Sequence, residues 1–112
     1  MIISIDDVTQ TVRDVLTDNP YSFNVLRVGI FGSVARGDAT DDSDIDLLID
    51  YVHEDGSLDF LLLCDRLRSV FRENHKKEIS LIESAALAYR ENYRIGKEIE
   101  EQVVWVWEES RV

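Results

Sequence analysis

Residues 28–50 read VGIFGSVARGDATDDSDIDLLID: an apolar run into a Gly-Ser turn, then six aspartates in a short span that ends in a second apolar run. The β-branched and apolar residues from Val25 to Phe31, stopping at Gly32, predict a buried strand that ends in a sharp turn. A short helical turn over 34–36, a polar loop over 37–43 and a second strand over about 45–52 follow. Side chains alternate across a strand, so Asp44 and Asp46 point to one face while Ile45, Leu47 and Ile49 point to the other. Two carboxylates on one face, anchored from behind, form a platform for a divalent cation. Without a cation, the closeness of Asp44 and Asp46 costs electrostatic repulsion.

Two better-known loops do not fit this stretch. Gly32 to Gly37 has the glycine spacing of a phosphate loop, but Asp38 stands where that loop needs lysine. Asp42, Asp44 and Asp46 open like a calcium-binding EF-hand loop, yet Leu47 occupies the glycine position and His53 that of the closing glutamate. What remains is a strand, a turn with free backbone amides and a hydroxyl, and an acidic strand opening. Magnesium is commonly held by one or two carboxylates together with substrate phosphates, and the Gly32-Ser33 turn offers donors for those phosphates.

Outward from this stretch, Val8, Val12, Val15 and Leu16 recur at helical spacing behind Asp6 and Asp7, with Pro20 as a stop. Asp55-Gly56 predicts a turn, and Phe60, Leu63, Cys64, Leu67, Val70 and Phe71 place one stripe on a helix from about 57 to 75. A third strand over 77–82, a helix capped by Ser84 and running towards Gln102, and a closing strand over 103–107 complete the pattern. Helices and strands alternate, so the fold class is α/β (α+β), a small mixed sheet covered by helices.

At 112 residues, 1–112 is expected to be a single domain with one core. No apolar run reaches the length of a membrane span and no basic-then-apolar leader is present, so the expected location is cytoplasmic, with no membrane partner. Twenty-three acidic against twelve basic residues give a net charge of -11, which opposes the phosphate neutralisation on which nucleic-acid binding depends. Direct nucleic-acid binding is therefore not expected, and a basic protein suits this surface better. The lone Cys64 excludes an internal disulfide and a cysteine-based zinc cluster.

Gly32-Ser33, ten intervening residues and Asp44-Ile45-Asp46, after the strand 28–31, resemble the signature of the minimal nucleotidyltransferases in the DNA polymerase β-like superfamily. The resemblance implies transfer of a nucleoside monophosphate from a nucleoside triphosphate to a hydroxyl, with release of pyrophosphate. It implies that Gly32, Ser33, Arg36 and Ser43 contact the nucleotide and that Asp44 and Asp46 are catalytic and bind magnesium. Arg36 can equally be a surface charge.

The family also places a third carboxylate on a later strand, where it binds a second metal that activates the attacking hydroxyl. Here Ile79-Ser80-Leu81-Ile82 aligns with that strand and Ser80 stands at the carboxylate position. A hydroxyl is a poor magnesium ligand beside an ionised carboxylate. Glu78 shares a face with Ser80 about 7 Å along the strand and is the candidate catalytic substitute, with an edge-strand charge as its plainer reading, whereas Glu83 falls on the opposite face.

Many stand-alone members of this family are antitoxins paired with a HEPN-domain toxin. That kinship implies transfer of AMP from ATP to a tyrosine hydroxyl of such a toxin. The rival expectation is a degenerate antitoxin that neutralises its partner by binding. A homo-oligomer stays open. His53 and His75 read as solvated side chains, Trp105 and Trp107 as base-stacking or buried aromatics, and Tyr89, Tyr93, Arg90 and Arg94 as a partner-facing strip at helical spacing.

Overall fold

The computed structural model describes residues 2–19, 24–52, 58–88 and 93–109. Helix α1, Ile5–Asp18, begins where Ser4 accepts the Asp7 amide at 3.0 Å, with Asp6 and Asp7 complementing the positive end of the helix. Its buried face is Val8, Thr11, Val12, Val15 and Leu16. Strand β1, Val25–Phe31, runs into the short helix α2, Gly32–Arg36, and strand β2 is Ile45–Tyr51. Helix α3 is Asp59–His75, strand β3 is Ile79–Glu83, a 3-10 turn covers Ser84–Ala88, helix α4 is Tyr93–Gln102 and strand β4 is Val104–Glu108.

The four strands lie in the order β3-β2-β1-β4. Strand β1 pairs antiparallel with β2 and with β4, while β2 and β3 run parallel across the α3 connection, so the sheet is mixed. Alternation sends Val25, Val28, Ile30, Ile45, Leu47 and Ile49 into one core, where Val8 and Val12 of α1 and Leu63, Leu67 and Phe71 of α3 meet them, all fully buried. The other face carries Arg27, Gly29 and Phe31 of β1 beside Asp50, Leu48 and Asp46 of β2. Gly29 lacks a side chain for a packing reason: a Cβ there would stand 3.0 Å from the Trp105 ring and overlap Val103.

Three sequence expectations are corrected. The α-helix expected to start at Ser84 does not start there: Ser84 Oγ donates to Asp50 Oδ1 at 2.9 Å, which ties it to β2, and Ser84–Ala88 forms a 3-10 turn, with α4 at Tyr93–Gln102. Strand β3 starts at Ile79 rather than residue 77, because Lys76 in the left-handed conformation (φ 55°) caps α3 with its amide on the Arg72 carbonyl. His75 is not a solvated side chain. Thr11 Oγ1 donates to the Asp7 carbonyl at 2.8 Å and shares a hydrogen bond with His75 Nε2, also at 2.8 Å. Pro20, His53, Asp55-Gly56, Tyr89, Arg90 and the side chain of Tyr93 lie outside the described residues.

Candidate active site

Asp46 sits second on β2, opposite Phe31 of β1 and beside Ser80 of β3. Asp44 precedes the strand and is exposed. Helix α2 starts at the end of β1 with Gly32 at φ 73°, a conformation that a side chain disfavours. A Cβ on Gly32 would overlap Oδ2 of Asp46 and stand 3.1 Å from its Cγ, so the backbone of the turn lies against the carboxylate. Gly37 closes α2, its amide on the Ser33 carbonyl at 3.0 Å. Thus one strand end brings the Gly32-Ser33 turn to the Asp pair.

Burial raises the pKa of Asp46 above its ordinary 3.8, the Asp44 charge raises it further, and Arg36 opposes both. No hydrogen bond or ion pair to either carboxylate is formed among the described residues. Such a pair is short of positive charge, which a divalent cation would supply. The donor set therefore fits a hard cation held by carboxylate oxygens.

Arg36 reaches two ways, with Nε on Asp38 at 3.2 Å and Nη1 on Gln102 Oε1 at 3.2 Å, and its field also acts on Asp46. Ser43 is engaged in its own loop: its Oγ accepts the Thr40 amide at 2.8 Å and its amide donates to the Thr40 carbonyl at 3.1 Å. That turn delivers the chain to Asp44. Lys77, nearly buried, donates from Nζ to the Asp41 carbonyl and braces the same loop, while the Ile45 amide bonds the Glu78 carbonyl at 3.1 Å. Nothing in local sequence singles out Lys77, since its partner lies 36 residues away.

Ser80 is the register neighbour of Asp46, and the parallel pairing places both side chains on the same face. Glu78 does not stand with them. Its carboxylate forms a two-pronged pair with Arg72 of α3, Nε to Oε1 at 2.9 Å and Nη2 to Oε2 at 3.0 Å, and the Arg72 hydrogen bond holds it below the usual carboxylate range. Strand β3 continues through Glu83 opposite Ile49, on the core-facing parity. Among the described residues, no group of three or more Asp, Glu, His or Cys side chains converges on a common metal position.

The remaining aromatic and thiol candidates are structural. Trp105 packs over Gly29, and the Arg27 guanidinium lies 4.0 Å from its ring centroid while pairing with Asp50 at 3.3 Å. Trp107 packs partly buried on the core. Cys64 is buried, and that burial pushes its thiol up to about 11, so it is inert.

The sequence profile of the nucleotidyltransferase domain family matches residues 9–111. The chain belongs to this family. A candidate protein adenylyltransferase of Methanocaldococcus jannaschii is 30% identical over 105 residues, 94% of this chain and 97% of its own length. The protein adenylyltransferase MntA of Thermococcus cleftensis is 40% identical over 48 residues, 43% of this chain, and the match spans about half (48%) of that relative. Among solved structures, a toxin-antitoxin crystallised with AMP-PNP superposes with a TM-score of 0.65 at 16% identity, over 91% of this chain and 74% of that one. At that identity the likeness shows the fold, which is the mixed sheet with flanking helices of a nucleotidyltransferase.

Proposed function

We propose that this nucleotidyltransferase is a magnesium-dependent protein adenylyltransferase that moves AMP from ATP to a tyrosine hydroxyl of a HEPN-domain toxin, and so acts as its antitoxin in the cytoplasm. The observation that carries the reading is the contact of the Gly32 backbone with the Asp46 carboxylate, beside Asp44, at the start of α2. It puts phosphate donors and metal ligands within one small space. The names of the relatives and the toxin-antitoxin assembly of a chain with this fold support the choice of donor and acceptor.

In this reading Gly32 and Ser33 receive the triphosphate through backbone amides and the Ser33 hydroxyl. Asp44 and Asp46 hold magnesium, and Arg36 adds positive charge at the same end of the sheet. Bound there, magnesium would neutralise the carboxylates and the triphosphate and favour departure of pyrophosphate. The acceptor oxygen forms a bond to the α-phosphorus as the bond to pyrophosphate breaks, and the hydroxyl proton passes to water. The chain orients the phosphates by a turn that cannot take a side chain. The acidic surface, with a charge of -11, suits a basic partner and disfavours direct nucleic-acid binding.

The test is the intact mass of the toxin after incubation with this chain, magnesium and each nucleoside triphosphate. A gain of one AMP, with ATP only, that vanishes in Asp44→Ala/Asp46→Ala is the expected outcome; an unchanged mass with every nucleotide overturns the reading. Ser80 beside Asp46 favours a second reading, a degenerate antitoxin that acts by binding. In that case the toxin stays unmodified and Asp44→Asn leaves its affinity intact.

A further inference from the structure

We infer that the site holds one divalent ion, at Asp44 and Asp46, and that Ser80 is the residue that keeps a second ion out. The inference rests on the proposed nucleotidyl transfer and deepens it. A second ion on the acceptor side of the Asp pair needs a third anionic oxygen there, because two carboxylates already share their charge with the first ion and the triphosphate. The parallel register puts position 80 at that place, next to Asp46 and on its face, and position 80 offers a neutral, exposed hydroxyl.

Among the described residues, no third Asp, Glu, His or Cys joins the Asp pair in a group that could hold a metal. Glu78 is turned to Arg72 in an exposed two-pronged pair. Glu83 has the parity of the core face. Asp50 shares the face of Asp46 but lies about 13 Å further along the strand, and it is taken by Arg27 and Ser84. Asp38 is paired with Arg36. His75, the one histidine described, is bonded to Thr11 on the helical side. Nucleotide and metal binding survive this arrangement, since both use Gly32, Ser33, Asp44 and Asp46.

Crystals of the wild-type chain, Ser80→Asp and Ser80→Asn, grown with manganese and the non-hydrolysable α,β-methylene analogue of ATP, test it by counting anomalous manganese peaks. One peak between the Asp pair and the triphosphate is expected in the wild type and in Ser80→Asn, and two in Ser80→Asp. Ser80 is exposed on an edge strand, so these variants should fold, and Ser80→Asn controls for bulk. Two peaks in the wild type overturn the single-ion inference and leave the transferase reading standing. One peak in Ser80→Asp overturns the role given to Ser80. No peak and no nucleotide in the wild type overturn both the inference and the proposed function.

Discussion

The backbone of Gly32 lies against the carboxylate of Asp46, so closely that a methyl group on Gly32 would overlap Oδ2 and stand 3.1 Å from Cγ. The turn proposed to receive phosphate and the residue proposed to receive metal are thus one packed unit, built where β1 ends opposite β2.

Gly32→Ala should be destabilising and inactive. The left-handed backbone alone costs about 1–2 kcal/mol for a residue with a Cβ, and the overlap with Asp46 adds to it. Urea unfolding should show the loss. Adding Asp46→Ala should restore the part due to overlap, and no recovery in that double variant would place the whole cost in the backbone.

Ionised Asp46 should weaken the fold in the absence of metal. Its folded-state pKa is raised above 3.8, first by burial and then by Asp44. The sign follows from linkage: the favourable contribution is fully present below the unfolded value near 3.8 and is lost as pH rises through the folded value. In EDTA, Asp46→Asn should therefore raise Tm at neutral pH, with the gain shrinking towards pH 4. Asp44→Asn should give a smaller gain, because Asp44 is the second cause. Thermal scans from pH 4 to 8 decide this, and an Asp46→Asn variant less stable than wild type at neutral pH would contradict it.

Magnesium with a non-hydrolysable ATP analogue should stabilise the chain through the same pair. At about 100 times the dissociation constant the gain is about 2.7 kcal/mol. Asp44→Asn/Asp46→Asn should lose most of it. Equal stabilisation of wild type and double variant in a thermal shift would remove the Asp pair from the binding site.

Lys77 should brace the loop that carries Asp44. A hydrogen bond to a charged group contributes about 1.5–3 kcal/mol, so Lys77→Met should lose on that order while its apolar stem still fills the site. Amide hydrogen exchange over residues 38–44 should quicken in Lys77→Met and not in Lys76→Met, whose exposed side chain makes no hydrogen bond to this loop among the described residues. Unchanged exchange would make Lys77 a packing residue only.

Much of the site was legible in the local pattern. The bounds of β1, the turn at Gly32 and the opposite facing of Asp46 and Ile45 follow from side-chain period and from a run of β-branched residues that halts at glycine. The place of Ser80 was legible only through the family resemblance, which aligns Ile79-Ser80-Leu81-Ile82 with the later carboxylate-bearing strand, and the parallel register sets Ser80 beside Asp46. The 3-10 turn at Ser84–Ala88 was not legible, since helical spacing continues in sequence while the hydrogen bond to Asp50 is made across the sheet.

The sequence by itself determined the strand-turn-strand unit, its pair of carboxylates and the family, because each rests on neighbours along the chain. The tertiary structure decided the partners: Arg72 for Glu78, the Asp41 carbonyl for Lys77, Thr11 for His75 and Arg27 for Trp105. Those choices depend on which side chains the packed helices and strands bring within hydrogen-bond reach, and competition among several charged groups for one cation is settled by distance in space, which sequence separation does not encode.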